Sequence, residues 1–141
     1  MTLKEIESRR AEYLIFLEKW ILKKDAGFRK IAETEVAKQS KPIRTAGGKN
    51  EAMSASVSWW WGDAIWCGDA HTEALEEFLG ISFTDDYALM DECGQFSEET
   101  FNEVIKRVLP EVYWRHIGLE TGDEPTTDEQ RAWVEAALEG E

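Results

Sequence analysis

Apolar residues recur three and four positions apart along almost the whole chain. That is the period of an amphipathic helix. The only stretch with a trace of strand-like alternation, Ser56 to Trp61, reads better as helix. The pattern predicts an all-α fold: a compact single-domain bundle of about five to seven helices with one long basic loop. A length of 141 residues suits one domain, and seven Trp, six Phe and three Tyr supply bulky core material.

The helices can be placed from their stripes and caps. Leu3, Ile6, Tyr13, Leu14, Leu17, Trp20 and Ile21 mark a helix from about Leu3 to Lys24. Thr2 is its expected N-cap, with Glu5 three residues on, and Gly27 is its expected break. A shorter helix, Phe28 to Lys38, completes a basic N-terminal unit, residues 1–38. Residues 39–56 hold Pro42, Gly47, Gly48 and three basic side chains, and read as a flexible loop. An acidic helical core, 57–141, is expected to follow. It opens with one long helix, Val57 to Leu79, whose apolar face carries Val57, Trp61, Ile65, Gly68, Leu75 and Leu79. A rival reading turns the chain at Gly68 and lets Asp69 cap a helix from Ala70 to Leu79. Beyond it come helices Asp85 to Cys93 (capped by Thr84, stopped by Gly94), Glu98 to Leu109 (capped by Ser97) and Pro110 to Gly118. A last helix has Thr127 and Gln130 at capping-box spacing and an apolar side of Trp133, Val134, Ala137 and Leu138.

Charge is the second constraint. The formal net charge of −13 is unevenly laid out. Residues 1–50 carry twelve Lys/Arg against seven Asp/Glu, a net +5, and residues 51–141 carry four against twenty-two, a net −18. Such asymmetry points to a basic partner, or to an internal match between the basic helices and the acidic remainder. It also excludes the one DNA-reading outline present. Asp85–Cys93, Gly94 and Ser97–Leu109 resemble a helix-turn-helix, but its reading helix would begin Ser97-Glu98-Glu99 and repel phosphate.

Motifs for chemistry are scarce. The N-terminus has no signal-peptide layout, and no apolar run is long enough to span a membrane, so an intracellular, cytoplasmic protein is expected. Cys67 and Cys93 form no CxxC pair and are expected as free thiols. GxSxG, GxGxxG and GxxxxGK[ST] are all missing. Asp63, Cys67 and His71 stand at i, i+4 steps, where carboxylate, thiolate and imidazole can share an ion. Three potential ligands on one helix without a second cluster are a weak metal signal. No cofactor is predicted, and no catalytic group.

The strongest expectation is therefore a small acidic binding protein, not an enzyme, that inhibits or regulates a basic partner. A nucleic-acid-binding or nuclease protein fits, with the acidic side standing in for nucleic-acid charge. On the Val57–Leu79 helix, Trp59, Asp63, Trp66, Glu73 and Glu77 align opposite the apolar face. Trp59 and Trp66 are the expected anchors, with Asp63, Asp69, Glu73, Glu76 and Glu77 around them and Asp85, Asp86, Asp91 and Glu92 as a second patch. The competing reading buries both tryptophans in the core. Bacterial immunity proteins and phage or plasmid inhibitors of restriction and CRISPR systems are often small, acidic and motif-poor. The chain is similar to them in size and charge only. The alternative is an enzyme or small-ligand binder with a Trp-lined pocket around Asp63, Cys67 and His71.

Overall fold

The computed structural model describes residues 1–38, 48–118, 128 and 132; for 48–52 only the backbone is described. The fold is all-α, with no strand among the described residues. In chain order the elements are α1 (Leu3–Glu7), α2 (Arg10–Ala37), α3 (Gly48–Trp66), α4 (Ala70–Leu79), a 3₁₀ turn (Phe83–Asp85), α5 (Tyr87–Val108) and α6 (Pro110–Val112). A π-helical turn, Tyr113–Ile117, follows α6 directly.

The 28-residue α2 is the spine, packed on α3, α4 and α5. Its buried residues step by three and four: Tyr13, Leu17, Ile21, Asp25, Phe28, Ala32, Val36. That stripe runs through Gly27 without losing phase, so the expected break does not occur. A helical glycine costs ~1 kcal/mol relative to Ala. Burying Phe28 alone returns ~1.5–3 kcal/mol. The chain bends earlier instead. Thr2 caps α1 as expected, its hydroxyl accepting from the Glu5 N–H at 3.3 Å. Then the Ser8 hydroxyl donates to the Glu5 carbonyl at 2.5 Å, and helix resumes at Arg10. A serine bonding to its own backbone competes with helical continuation.

Three further expectations are corrected. The predicted loop over 39–56 is helical from Gly48 onward; residues 39–47 lie outside the described residues. The predicted long helix Val57–Leu79 is two helices, broken over Cys67–Asp69. Asp69 takes a left-handed backbone (φ 47°) and precedes α4 as the rival reading placed it, though its side chain makes no cap bond. Gly68 is exposed rather than on the core face. The predicted pair of helices around Gly94 is one helix, α5. Its buried stripe, Leu89, Cys93, Ser97, Thr100, Phe101, Val104 and Ile105, passes through Gly94 in phase. Ser97 is interior and donates to the Gly94 carbonyl at 3.0 Å, and the N-cap is Asp86, which accepts from the Leu89 N–H. With no turn there, the helix-turn-helix outline has no structural counterpart. The expected C-terminal helix after Thr127 lies almost wholly outside the described residues.

The core packs α2 against α3, α4 and α5. Trp61 and Trp114 are fully buried. The Trp61 indole N–H donates to Asp25 at 3.0 Å, and Arg29 closes on the same carboxylate at 2.7 Å. A second aromatic cluster, Tyr13, Phe16, Phe78 and Phe96, fastens α2 to α4 and α5. Two glycines are set by close approach. The His116 imidazole lies 3.3 Å from where a Cβ on Gly62 would stand, and the Trp114 ring occupies the same space at Gly118. No described helix is long and apolar enough to cross a membrane.

Candidate functional site: an acidic, tryptophan-bearing face

The basic N-terminal helix already spends much of its charge inside the fold. Arg10 pairs with Glu103, Lys24 with Glu73 at 3.4 Å, and Arg29 with Asp25 and Glu111; in the opposite sense Glu18 of α2 takes Arg107 of α5 at 3.1 Å. The internal match read from the charge asymmetry is thus real, and it sorts the predicted acidic residues into two groups.

Glu73, Glu76, Glu77 and Asp86 face inward tasks. Glu73 holds Lys24, and Glu77 accepts from the Trp20 indole N–H. Glu76 accepts from the Phe83 N–H at 3.0 Å and so fixes the turn after α4. Asp86 caps α5. These four are commitments of the fold more than a free surface. By contrast Asp63, Asp69, Asp85, Asp91 and Glu92 are exposed, and none has an ion pair or side-chain hydrogen bond among the described residues.

The two anchors are on the surface, not in the core. Trp59 is 62% exposed and Trp66 48%. With Asp63 they stand at i, i+4 and i+7, a single stripe along α3. The neighbouring tryptophans do the structural work: Trp61 is buried, and Trp60 stacks on Phe28 while donating to Glu35 at 3.3 Å.

A second stripe was missed. On α5, Asp91, Glu98 and Asn102 fall at i, i+7 and i+11 and share one face. Glu98 had been read only as a helix-opening residue that repels phosphate. The false turn at Gly94 hid its phase relative to Asp91.

The two stripes meet in a cleft. Trp66 from α3, Asp69 and His71 from the start of α4, Glu98, Phe101 and Asn102 from α5, and Ile65 and Ile117 line a space of about 160 Å³. Only part of the predicted Asp63, Cys67 and His71 group reaches it. The break over Cys67–Asp69 takes His71 off the helix that carries the other two, so the i, i+4 relation of Cys67 to His71 is lost. Among the described residues no three His, Cys, Asp or Glu side chains are close enough to hold a metal ion. Cys67 and Cys93 are both free thiols, Cys67 exposed and Cys93 buried. Burial, then the carboxylates of Glu92, Glu7 and Asp86, pushes the Cys93 thiol up, which keeps it protonated and unreactive.

A larger cleft of about 340 Å³ lies between α2 and α4, lined by Trp20, Lys23, Lys24, Phe28, Glu73 and Glu77 among others. Its polar rim is already engaged: Lys24 spans from Glu73 to the Trp20 ring, 5.3 Å from its centroid, and Glu77 holds the Trp20 indole. Compared with known protein families, curated proteins and solved structures, the chain matches none.

Proposed function

We propose that the protein is a small acidic binding module that occupies a basic surface on another protein, inhibiting or regulating it. A nuclease or other nucleic-acid-binding protein is the partner class that such a charge pattern suits, the carboxylates standing in for phosphates. The observation that carries this reading is the division of the acidic residues. The fold satisfies Glu73, Glu76, Glu77 and Asp86 internally, yet leaves Asp63, Asp69, Asp85, Asp91 and Glu92 exposed and unpaired among the described residues, as it leaves Trp59 and Trp66 exposed. Exposed Trp is costly to leave in water and is favoured at interface hot spots. Unpaired carboxylates around it add on-rate and select for basic targets.

The test is capture on the immobilised full chain from a bacterial lysate at low and at high salt. The expected result is a basic protein retained at low salt and released at high salt, since screening weakens long-range attraction. Retention should fall for the Trp59→Ala/Trp66→Ala variant. Salt-independent retention, or a metabolite or metal copurifying with no protein, would overturn the reading.

A further inference from the structure

We propose that the cleft between Trp66 and Glu98 is a receptor for a single arginine side chain presented by the basic partner. This rests on the binding reading above and makes it specific. One end of the α3 stripe, Trp66, and the Glu98–Asn102 part of the α5 stripe line this cleft together. An incoming chain attracted by either stripe is led to the same recess.

The lining matches a guanidinium group in three respects. Ile65, Phe101 and Ile117 make an apolar floor against which a methylene stem can lie. Half-exposed Trp66 offers an indole wall, on which a planar, weakly hydrated guanidinium stacks better than a compact, strongly hydrated ammonium. Asp69 and Glu98 bring two carboxylates from different elements, with the Asn102 amide and the His71 imidazole beside them. None of these four polar side chains has a hydrogen bond or ion pair among the described residues. In the α2–α4 cleft, by contrast, Lys24 and Glu73 are already paired and Glu77 is already bonded to the Trp20 indole. Size also decides. About 160 Å³ is below the ~300–1,000 Å³ typical of small-molecule sites, and fits one long side chain instead.

The experiment titrates the full chain with short Gly/Ser peptides carrying spaced arginines, the same peptides with lysine, and the same with citrulline, an uncharged isostere of arginine. The readout is the Trp66 indole N–H resonance, assigned through Trp66→Phe. The arginine peptide is expected to move that resonance saturably, with affinity about fivefold above the lysine peptide, and citrulline is expected to move nothing. Glu98→Gln should weaken the arginine peptide by about fivefold, while Glu33→Gln on the outer side of α2 changes it by less than about twofold. Unchanged indole resonances elsewhere establish that the variants are folded. Equal affinity for arginine and lysine, or no effect of Glu98→Gln, would overturn the arginine site. So would binding that perturbs only residues around Asp85 and Glu92; the acidic-module reading would then survive without this cleft. A saturable Trp66 response with no basic protein captured from lysate would support the cleft and sink the broader reading.

Discussion

At the scale of single residues, two buried groups carry more than their share of the fold. Asp25 sits in the apolar stripe of α2, receiving the Trp61 indole N–H and the Arg29 guanidinium. Removing the carboxylate orphans the buried Trp61 indole donor, while half-exposed Arg29 keeps Glu111 and water. Asp25→Ala should destabilise the protein by about 2 kcal/mol in denaturant unfolding, and Asp25→Asn by less, because the amide oxygen still accepts from Trp61. His116 is the other. Burial, and then the charge of adjacent Arg115, lower its pKa to about 4, against a weak opposing hydrogen bond to the Ser58 backbone. A histidine depressed in the folded state binds more protons when unfolded. It therefore costs nothing above pH ~6.5, where it is neutral in both states, and lowers stability increasingly as pH falls toward 4. Allowing for its partial exposure, the loss is about 2 kcal/mol. The unfolding midpoint should fall over that window, and His116→Gln should flatten this part of the profile. Asp25 is legible in principle: carried one step past Lys24, the stripe Tyr13, Leu17, Ile21 lands on it. The environment of His116 is not, because it is made by Gly62, more than fifty residues away in sequence.

At the scale of elements, a glycine within an apolar stripe does not by itself end a helix. Gly27 and Gly94 both lie inside helices whose buried stripes continue in phase. A Cβ at either position would meet nothing within 4 Å. Gly27→Ala and Gly94→Ala should each stabilise the protein by about 0.5–1 kcal/mol, measured by chemical denaturation. Gly80 is a contrasting case: its φ of +69° ends α4 in the left-handed region, so Gly80→Ala should destabilise. Gly68 was hard to read for a different reason. The helical period continues across it from Val57 to Leu79, and only the left-handed turn at Asp69 redirects the chain. Periodicity reports which face is apolar, but it does not report whether two segments with compatible faces are one helix or two.

At the scale of the whole molecule, the charge asymmetry has two uses. Part of it is an internal fit, with α2 set against α4 and α5 through Lys24–Glu73, Trp20–Glu77 and Arg10–Glu103. Exposed pairs of this kind are worth ~0–1 kcal/mol each, so they orient the helices more than they stabilise them. The remainder faces outward with Trp59 and Trp66. Trp66 is half-buried and Trp59 edges onto Trp60, so Trp59→Ala/Trp66→Ala should cost about 2 kcal/mol yet leave the chain folded, and a loss of partner capture by that folded variant separates a binding role from a packing one. The sequence by itself determined that the chain is helical, where most apolar stripes lie and that its negative charge is concentrated after residue 50. Those properties are local, set by spacing along one chain. Only the tertiary structure decided which tryptophans are buried, which carboxylates are already taken and that Trp66 and Glu98 line one cleft. Those depend on which helix packs on which, and α3 and α5 are held side by side through α2 and α4, which pack on both.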